Sequence, residues 1–214
     1  MSVNQQPILI AGPPRSGTTM LAGLILVHEN IWIGRARTTW FPGTNPEIAV
    51  ENQDIKDIMK RIAAKIGYRN WQTPLPEQPK NWNGLKEEIE ALVPNDRRWL
   101  VKTSWLLTFD EFWRWAYPDA LWVMPWRRVE SILDSTQRHM GMRHRPENMR
   151  KKFIWALRER QAQIMPKIKQ VHSVDVYNVS NNIKEDIETF LTFVGITPDQ
   201  DKINGWIQPG RMKK

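Results

Sequence analysis

The sequence contains no cysteine. Neither a disulfide framework nor a thiolate metal site can therefore be built from it, and the absence fits a reducing compartment. Long apolar runs are missing too: no stretch approaches the roughly eighteen uncharged residues that a membrane span requires. The opening segment MSVNQQPILIAG has no basic start followed by an apolar run, so no secretory leader is expected and the chain reads as soluble and cytoplasmic, with no membrane span. Acidic residues are in deficit, 23 Asp and Glu against 31 Lys and Arg, which leaves a net charge of +8 and a pI near 9.8. A surplus of that size favours phosphorylated or polyanionic partners. The basic residues are densest over positions 127–152, but Glu130, Asp134 and Glu147 interrupt them and no low-complexity tail accompanies them. A solvated helical face accounts for such a run, and no nucleic acid partner is expected.

What is present is apolar residues, at 41%, and twelve tryptophans. A chain of 214 residues with that content supports one well-buried core, so residues 1–214 are expected to form a single domain. Most of the tryptophans are expected to pack in or around that core, and some to line an apolar or sugar-binding pocket.

Short apolar runs and helical periodicities alternate along the chain. Residues 7–12 (PILIAG) read as a buried strand and 18–28 as a helix. In 48–68, Ile55, Ile58, Met59, Ile62 and Ile66 fall on one helical face. Residues 71–80, with three prolines in WQTPLPEQPK, read as a surface loop, and 84–92 as a short helix. Two further strands are expected at 99–102 (WLVK) and 120–124 (ALWVM), with a helix over 107–116 between them. Helices over 129–139 and 148–169, a fourth strand over 174–179 (VDVYNV), and a late helix over 183–194 closed by Gly195 complete the pattern. The tail from 197 to 214 is expected to be irregular. Strand, helix, strand in this order predicts an α/β protein: a three-layer fold with a central parallel sheet and a P-loop-like strand, loop and helix at its start.

That first loop carries the chemistry. AGPPRSGTTM places Gly12, four residues, then Gly17, Thr18 and Thr19, but Thr18 stands where nucleotide hydrolases place a lysine after the second glycine. Between a strand and a helix, the backbone N–H groups of residues 15–19 would converge at a helix N-terminus, where orphan donors and the helix dipole favour an anion. Thr18 and Thr19 add hydroxyl donors, and Arg15 supplies a planar fork suited to a tetrahedral oxyanion. In hydrolases the lysine and a metal neutralise the outer phosphates together. With the lysine gone and no obvious acidic metal partner, a metal-independent transfer fits better.

ILIAGPPRSGTT resembles the 5′-phosphosulfate loop of the sulfotransferases, a strand followed by Pro, Arg or Lys, and Ser-Gly-Thr-Thr. The resemblance extends further: in that family a strand ends in an Arg with a Ser eight residues on, and here Arg127 follows the strand 120–124 and Ser135 stands at that spacing in RRVESILDS. Arg128 is the neighbouring competitor, but the spacing selects Arg127. The family's strand-end Lys, in a Lys-Thr context, matches Lys102 in WLVKTS, and Tyr177 stands where the family often has Tyr-Glu-Asp-Leu. The likeness runs from Ile8 to about Ile196.

It implies 3′-phosphoadenosine 5′-phosphosulfate (PAPS) as donor and 3′-phosphoadenosine 5′-phosphate (PAP) as product, with no metal. Arg15, Ser16, Gly17, Thr18 and Thr19 would hold the 5′ end, Arg127 and Ser135 the 3′-phosphate, and Tyr177 a further donor contact. Arg15 and Lys102 would be catalytic, stabilising charge on the transferring and leaving oxygens. The acceptor, a small molecule, glycan or peptide bearing a hydroxyl or amine, would enter over 35–46 and 138–146, where Trp40 and Phe41 offer a stacking surface.

The chain departs from the family at the general base. The cytosolic branch has a His two residues after the strand-end Lys, and here that position is Ser104; the protein-tyrosine branch has a Glu where this chain has Arg35 and Ala36. His28, Glu29, Glu47, Asp110, His139 and His144 remain as candidates for the proton acceptor. The cytosolic branch's Gly-x-x-Gly-Asp-Trp element is also absent, with Arg211, Lys213 and Lys214 as loose substitutes. A small-molecule or nucleotide kinase would use the same loop with Mg²⁺ and ATP, and a binding module could retain the donor pocket without turnover.

Overall fold

In the computed structural model, which describes residues 6–35, 52–69, 71–79, 81–82, 84–138 and 142–207, the chain's short apolar runs become the strands of one parallel sheet. These are β1 (Ile8–Ile10), β2 (Leu100–Lys102), β3 (Leu121–Trp126) and β4 (Val171–Asp175), in the order β2-β1-β3-β4. Leu9 lies opposite Val101 on one side and Trp122 on the other. Because successive strand residues face opposite ways, each run supplies two cores. Ile8, Ile10, Leu100, Leu121, Val123 and Val174 enter a cluster with α1 (Thr18–Leu26), α8 (Val176–Ser180), α9 (Lys184–Phe193) and α10 (Gln200–Trp206). Leu9, Val101, Trp122 and Met124 enter a second cluster with α2 (Gln53–Lys65), α3 (Leu85–Glu90), α4 (Trp105–Thr108), α5 (Asp110–Ala116) and α7 (Glu147–Ile164). The expected three layers are present, and continuous apolar strands are what a sheet covered on both faces demands.

The chain passes from β1 to β2 on one side, then crosses to β3 and β4 on the other. The topological switch point therefore lies between the C-terminal ends of β1 and β3, where open α/β sheets bind their ligands. Beyond β3, α6 (Val129–Arg138) packs on α7 through Val129, Ile132 and Ile154.

Five expectations need correction. The fourth strand is β4, earlier than 174–179, because the Asp175 side chain accepts from Tyr177 N at 2.8 Å and caps a helix, α8, where a strand was expected. The helix over 107–116 is two helices, interrupted at Phe109, whose φ of −123° and ψ of 44° leave the helical basin. The tail after 197 is not wholly irregular: Asp199 accepts from Asp201 N and Lys202 N and starts α10, while 208–214 lie outside the described residues. Loop 71–79 is irregular as expected, yet Trp71 is buried rather than at the surface, its ring 4.6 Å from that of Phe153. The helix expected over 48–68 begins at Gln53, where Asn52 accepts from Ile55 N at 2.9 Å; 48–51 are outside the described residues.

Candidate functional site

The loop between β1 and α1 is built by two positive-φ residues. Ala11 N still donates to Val123 O at 2.9 Å, and Ser16 N closes a turn onto Pro13 O at 3.1 Å. Arg15 then takes φ 69° and Gly17 φ 100°. A side chain at Gly17 would be strained by that φ, and its Cβ would lie 2.6 Å from Val176 Cγ1. Alternating left- and right-handed residues curl backbone N–H groups toward one concavity. Gly17 brings no side-chain cap to α1, so the first-turn donors of Thr18, Thr19 and Met20 have no intrahelical partner. Ser16 is fully buried and, among the described residues, its hydroxyl has no hydrogen-bond partner; it fills the loop from within.

Strand ends bring the other predicted residues to this loop. From α6, Ser135 accepts a 2.9 Å hydrogen bond from Arg15 Nε; from the end of β3, Arg127 Nη1 donates to Arg15 O at 3.0 Å. Arg128 is exposed, so of the two neighbours it is Arg127 that contacts the loop. Lys102, the last residue of β2 and buried, donates from Nζ to Thr19 Oγ1 at 2.9 Å. Seven of the nine residues singled out in the sequence thus meet through these contacts or line the mouth of the loop: Arg15, Gly17, Thr18, Thr19, Lys102, Arg127 and Ser135. Tyr177 is brought beside the loop by Val176, but its side chain is 71% exposed.

The electrostatics are one-sided. Displacement of water by surrounding protein, and the charges of Arg127 and Arg138, lower the Arg15 pKa from its ordinary value. Arg127 is lowered in the same way, first by burial and then by Arg138, with Asp134 opposing. Arg15 as a whole residue is nevertheless exposed, which keeps it accessible to a ligand. Three guanidiniums that repel one another beside a helix N-terminus leave this corner strongly positive.

Two residues that sequence reasoning passed over hold this corner together. Arg158 on α7 donates from Nη2 to Arg127 O at 2.9 Å and from Nη1 to Pro125 O at 3.3 Å, and Gln161 Nε2 reaches Pro125 O at 3.3 Å. The signal available was a polar pair three residues apart, with the buried Gln161, on a helix whose other buried positions are mostly apolar.

The base candidates are mostly engaged elsewhere. His28 Nδ1 bonds Leu24 O at 2.7 Å and Nε2 accepts from Asp199 N at 3.2 Å, a structural tautomer. Asp110 is buried between Arg114 at 3.0 Å and Arg160 at 3.3 Å. Glu29 lies 3.9 Å from Arg98, and His144 is exposed. Glu47, His139, Ala36, Trp40, Phe41, Arg211, Lys213 and Lys214 lie outside the described residues. Among the described residues no group of three or more His, Asp or Glu gathers as a metal would require, and no helix is long and apolar enough to cross a membrane.

No protein-family model and no curated protein matches the chain. Among solved structures, it is similar to the sulfotransferase domain of the Synechococcus PCC 7002 olefin synthase, with a TM-score of 0.58 and 12% identity over 98% of this chain and 80% of that one. Another neighbour is sulfotransferase STF1 of Mycobacterium tuberculosis H37Rv, with a TM-score of 0.45 and 14% identity, covering 95% of this chain and 70% of that one. The first likeness concerns architecture, and it agrees with the parallel sheet and flanking helices described above: the chain has the sulfotransferase fold.

Proposed function

We propose that the chain is a single-domain sulfotransferase that moves a sulfuryl group from PAPS to a hydroxyl or amine of a small-molecule, glycan or peptide acceptor. The observation that carries this reading is the contact of Arg15 with both Ser135 and Arg127, because it joins two anion subsites, loop and strand end, across the switch point. A nucleotide with phosphate at both 5′ and 3′ positions matches two such subsites. The mutually repelling guanidiniums of Arg15, Arg127 and Arg138 fit a bis-anionic ligand, which would offset their repulsion.

When bound, the donor supplies an activated sulfuryl group on a phosphosulfate bridge. The chain's own part is positioning and electrostatics. The first-turn N–H groups of α1 and the Thr18 hydroxyl would hold the 5′ end, and Arg127 with Ser135 the 3′-phosphate. Lys102 Nζ, held against Thr19 Oγ1, would supply the cation that stabilises negative charge growing on the leaving phosphate. Arg15 would do the same for the transferring oxygens. Ser104 and Ala36 occupy the positions at which the two family branches carry a base, so the acceleration assigned to this chain is electrostatic. A kinase would share the loop, but the lysine that kinases of this type carry after the second glycine is Thr18 here.

Thermal unfolding with PAP and with ATP, each with and without Mg²⁺, tests the proposal. Only PAP reaches both subsites, so it is expected to raise the Tm more; saturation at about a hundredfold over Kd corresponds to about 2.7 kcal/mol. An equal or larger rise with Mg²⁺ and ATP would put the kinase reading first.

A further inference from the structure

Three of the chain's tryptophans wall a groove that the donor chemistry leaves unused. Trp82, Trp115 and Trp122 enclose about 760 Å³ together with the polar side chains of Glu111, Arg114, Lys167 and Lys169, a volume in the range of small-molecule sites. Its place is the opposite end of the sheet from the switch point. Trp122 is the second residue of β3, Pro118 leads into that strand, and Ile168 and Lys169 lead into β4. From Trp122 to Trp126 the strand alone spans about 13 Å at about 3.3 Å per residue. A molecule in this groove is therefore separate from one held at Arg15 and Arg127.

The aromatic walls are fixed before anything binds. Trp122 is 1% exposed, and the half-buried Trp82 ring lies 5.4 Å from that of Phe112 and 6.1 Å from that of Phe109, both fully buried. Trp115 differs. Its ring is 6.2 Å from that of Phe112 and Lys86 Nζ stands over it at 5.9 Å, yet the residue is 57% exposed, more than any other tryptophan among the described residues. An indole held in place and left open offers a flat apolar face at small entropic cost.

The charges around these rings are close to balance. Arg114 is engaged by Asp110 at 3.0 Å and Lys169 by Asp119 at 2.7 Å. Lys167 and Glu111 remain, one of each sign. In a chain that carries +8 this balance is local, and it contrasts with the crowded guanidiniums at the switch point. A phosphate or sulfate ester would find no surplus of cations here, and an alkyl chain would leave the charged walls without partners. Flat indole faces bordered by both donors and acceptors suit a ring with apolar C–H faces and hydroxyls around its edge.

We infer that this groove binds an uncharged pyranose unit of a glycan, stacked on Trp115 and hydrogen-bonded through Glu111, Arg114 and Lys167. The site is distinct from the one assigned to the donor, and it does not rest on the sulfotransferase reading.

Saturation-transfer NMR with the β-linked trisaccharides of glucose, N-acetylglucosamine, mannose and galactose tests it. The full chain is used with and without PAP, as wild type, Trp115→Ala, Glu111→Gln and Trp155→Ala. Trp155, on α7 and 45% exposed, controls for the loss of a surface indole. At least one trisaccharide is expected to bind wild type, with its ring C–H protons receiving most of the saturation. That binding should be unaffected by PAP, and by NaCl between about 0.05 and about 0.5 M, because an uncharged ligand has no Coulomb attraction to screen. Trp115→Ala is expected to raise Kd about tenfold or more, the scale of one lost aromatic contact. Glu111→Gln should raise it about threefold, and Trp155→Ala not at all. No binding of any of the four sugars to wild type, or equal affinity in wild type and Trp115→Ala, would overturn the site. Binding that collapses as salt rises would overturn it as well, since the ligand would then be charged, and so would displacement by PAP, which would place the sugar at the switch point. Should Trp115→Ala fold poorly, Glu111→Gln, which changes an exposed side chain, decides the case, and an unchanged Kd there overturns the assignment. A missing PAP shift in wild type bears on the donor reading alone.

Discussion

Arg127 and Arg128 are neighbours in sequence with different tasks, and backbone geometry decides between them. Arg127 is half-buried, its carbonyl held by Arg158 and its guanidinium on Arg15 O, whereas Arg128 is exposed. Lys102 presents the same logic on the other side of the loop. A lysine that merely closed a strand would extend into water and snorkel; this one is buried and turned onto Thr19 Oγ1. If its charge acts on an oxygen that becomes more negative during transfer, the interaction is stronger in the transition state than in the ground state. Lys102→Ala is then expected to lower kcat by about 10²-fold or more while PAP affinity changes far less. Turnover and PAP titration in the two proteins check this, with slow donor hydrolysis as the readout where no acceptor is in hand. Equal rates in both, no faster than buffer, would remove the catalytic role and favour a nucleotide-binding module.

At the scale of elements, α1 is the hinge of the fold: its N-terminus forms the anion site and its flank receives α10. The contact is at Gly23, where an added Cβ would lie 1.9 Å from the Trp206 ring, and Trp206 Nε1 donates to Met20 O at 3.1 Å. Gly23→Ala should therefore destabilise by about 1–3 kcal/mol through overpacking, although alanine is the better helix former. In a Trp206→Ala background the sign should reverse, to a gain of about 1 kcal/mol from helix propensity. Denaturant unfolding of the four proteins of this cycle decides it, and the same sign in both backgrounds would mean that α10 does not seat on Gly23. This docking was invisible in the sequence, because a glycine inside a helical pattern reads as a mild local cost and nothing marks the tryptophan 183 residues later as its partner. The capped starts at Asp175 and Asp199 were legible in principle, since Asp before a helix is a known signal. In VDVYNV the β-branched residues outweighed that aspartate, and a strand was expected where α8 begins. The first three strands were plain as short apolar runs, since a sheet covered on both faces leaves no polar alternation to confuse with a helix, whereas β4, VHSVD and only partly buried, offers no such run.

For the whole molecule, the excess of positive charge and the fold converge on one place. The chain carries +8, and at the switch point burial lowers the pKa of Arg15 and of Arg127, with the charges of Arg127 and Arg138 lowering Arg15 further and that of Arg138 lowering Arg127 further. Spacing picked out Arg15, Arg127, Ser135 and Lys102, because a strand end and a residue about two turns into the following helix fix geometry locally. Arg138 and Arg158 were not legible in the same way, because their places depend on how α6 and α7 lie against each other. Mutual repulsion among these cations in the ligand-free protein makes its stability depend on salt. The Debye length falls from about 10 Å at 0.1 M to about 3 Å at 1 M, so raising NaCl over that range should raise the Tm of the ligand-free protein and shrink the further rise given by PAP. Arg138→Ala should reproduce part of the first effect at low salt, since it removes one of the three charges, and should weaken the dependence of the PAP response on salt. The measurement is a grid of melting temperatures against NaCl, with and without PAP, for wild type and Arg138→Ala. A PAP response independent of salt, and identical in both proteins, would mean that the ligand does not bind by neutralising this cluster, and the anion-binding assignment at the switch point would fall with it.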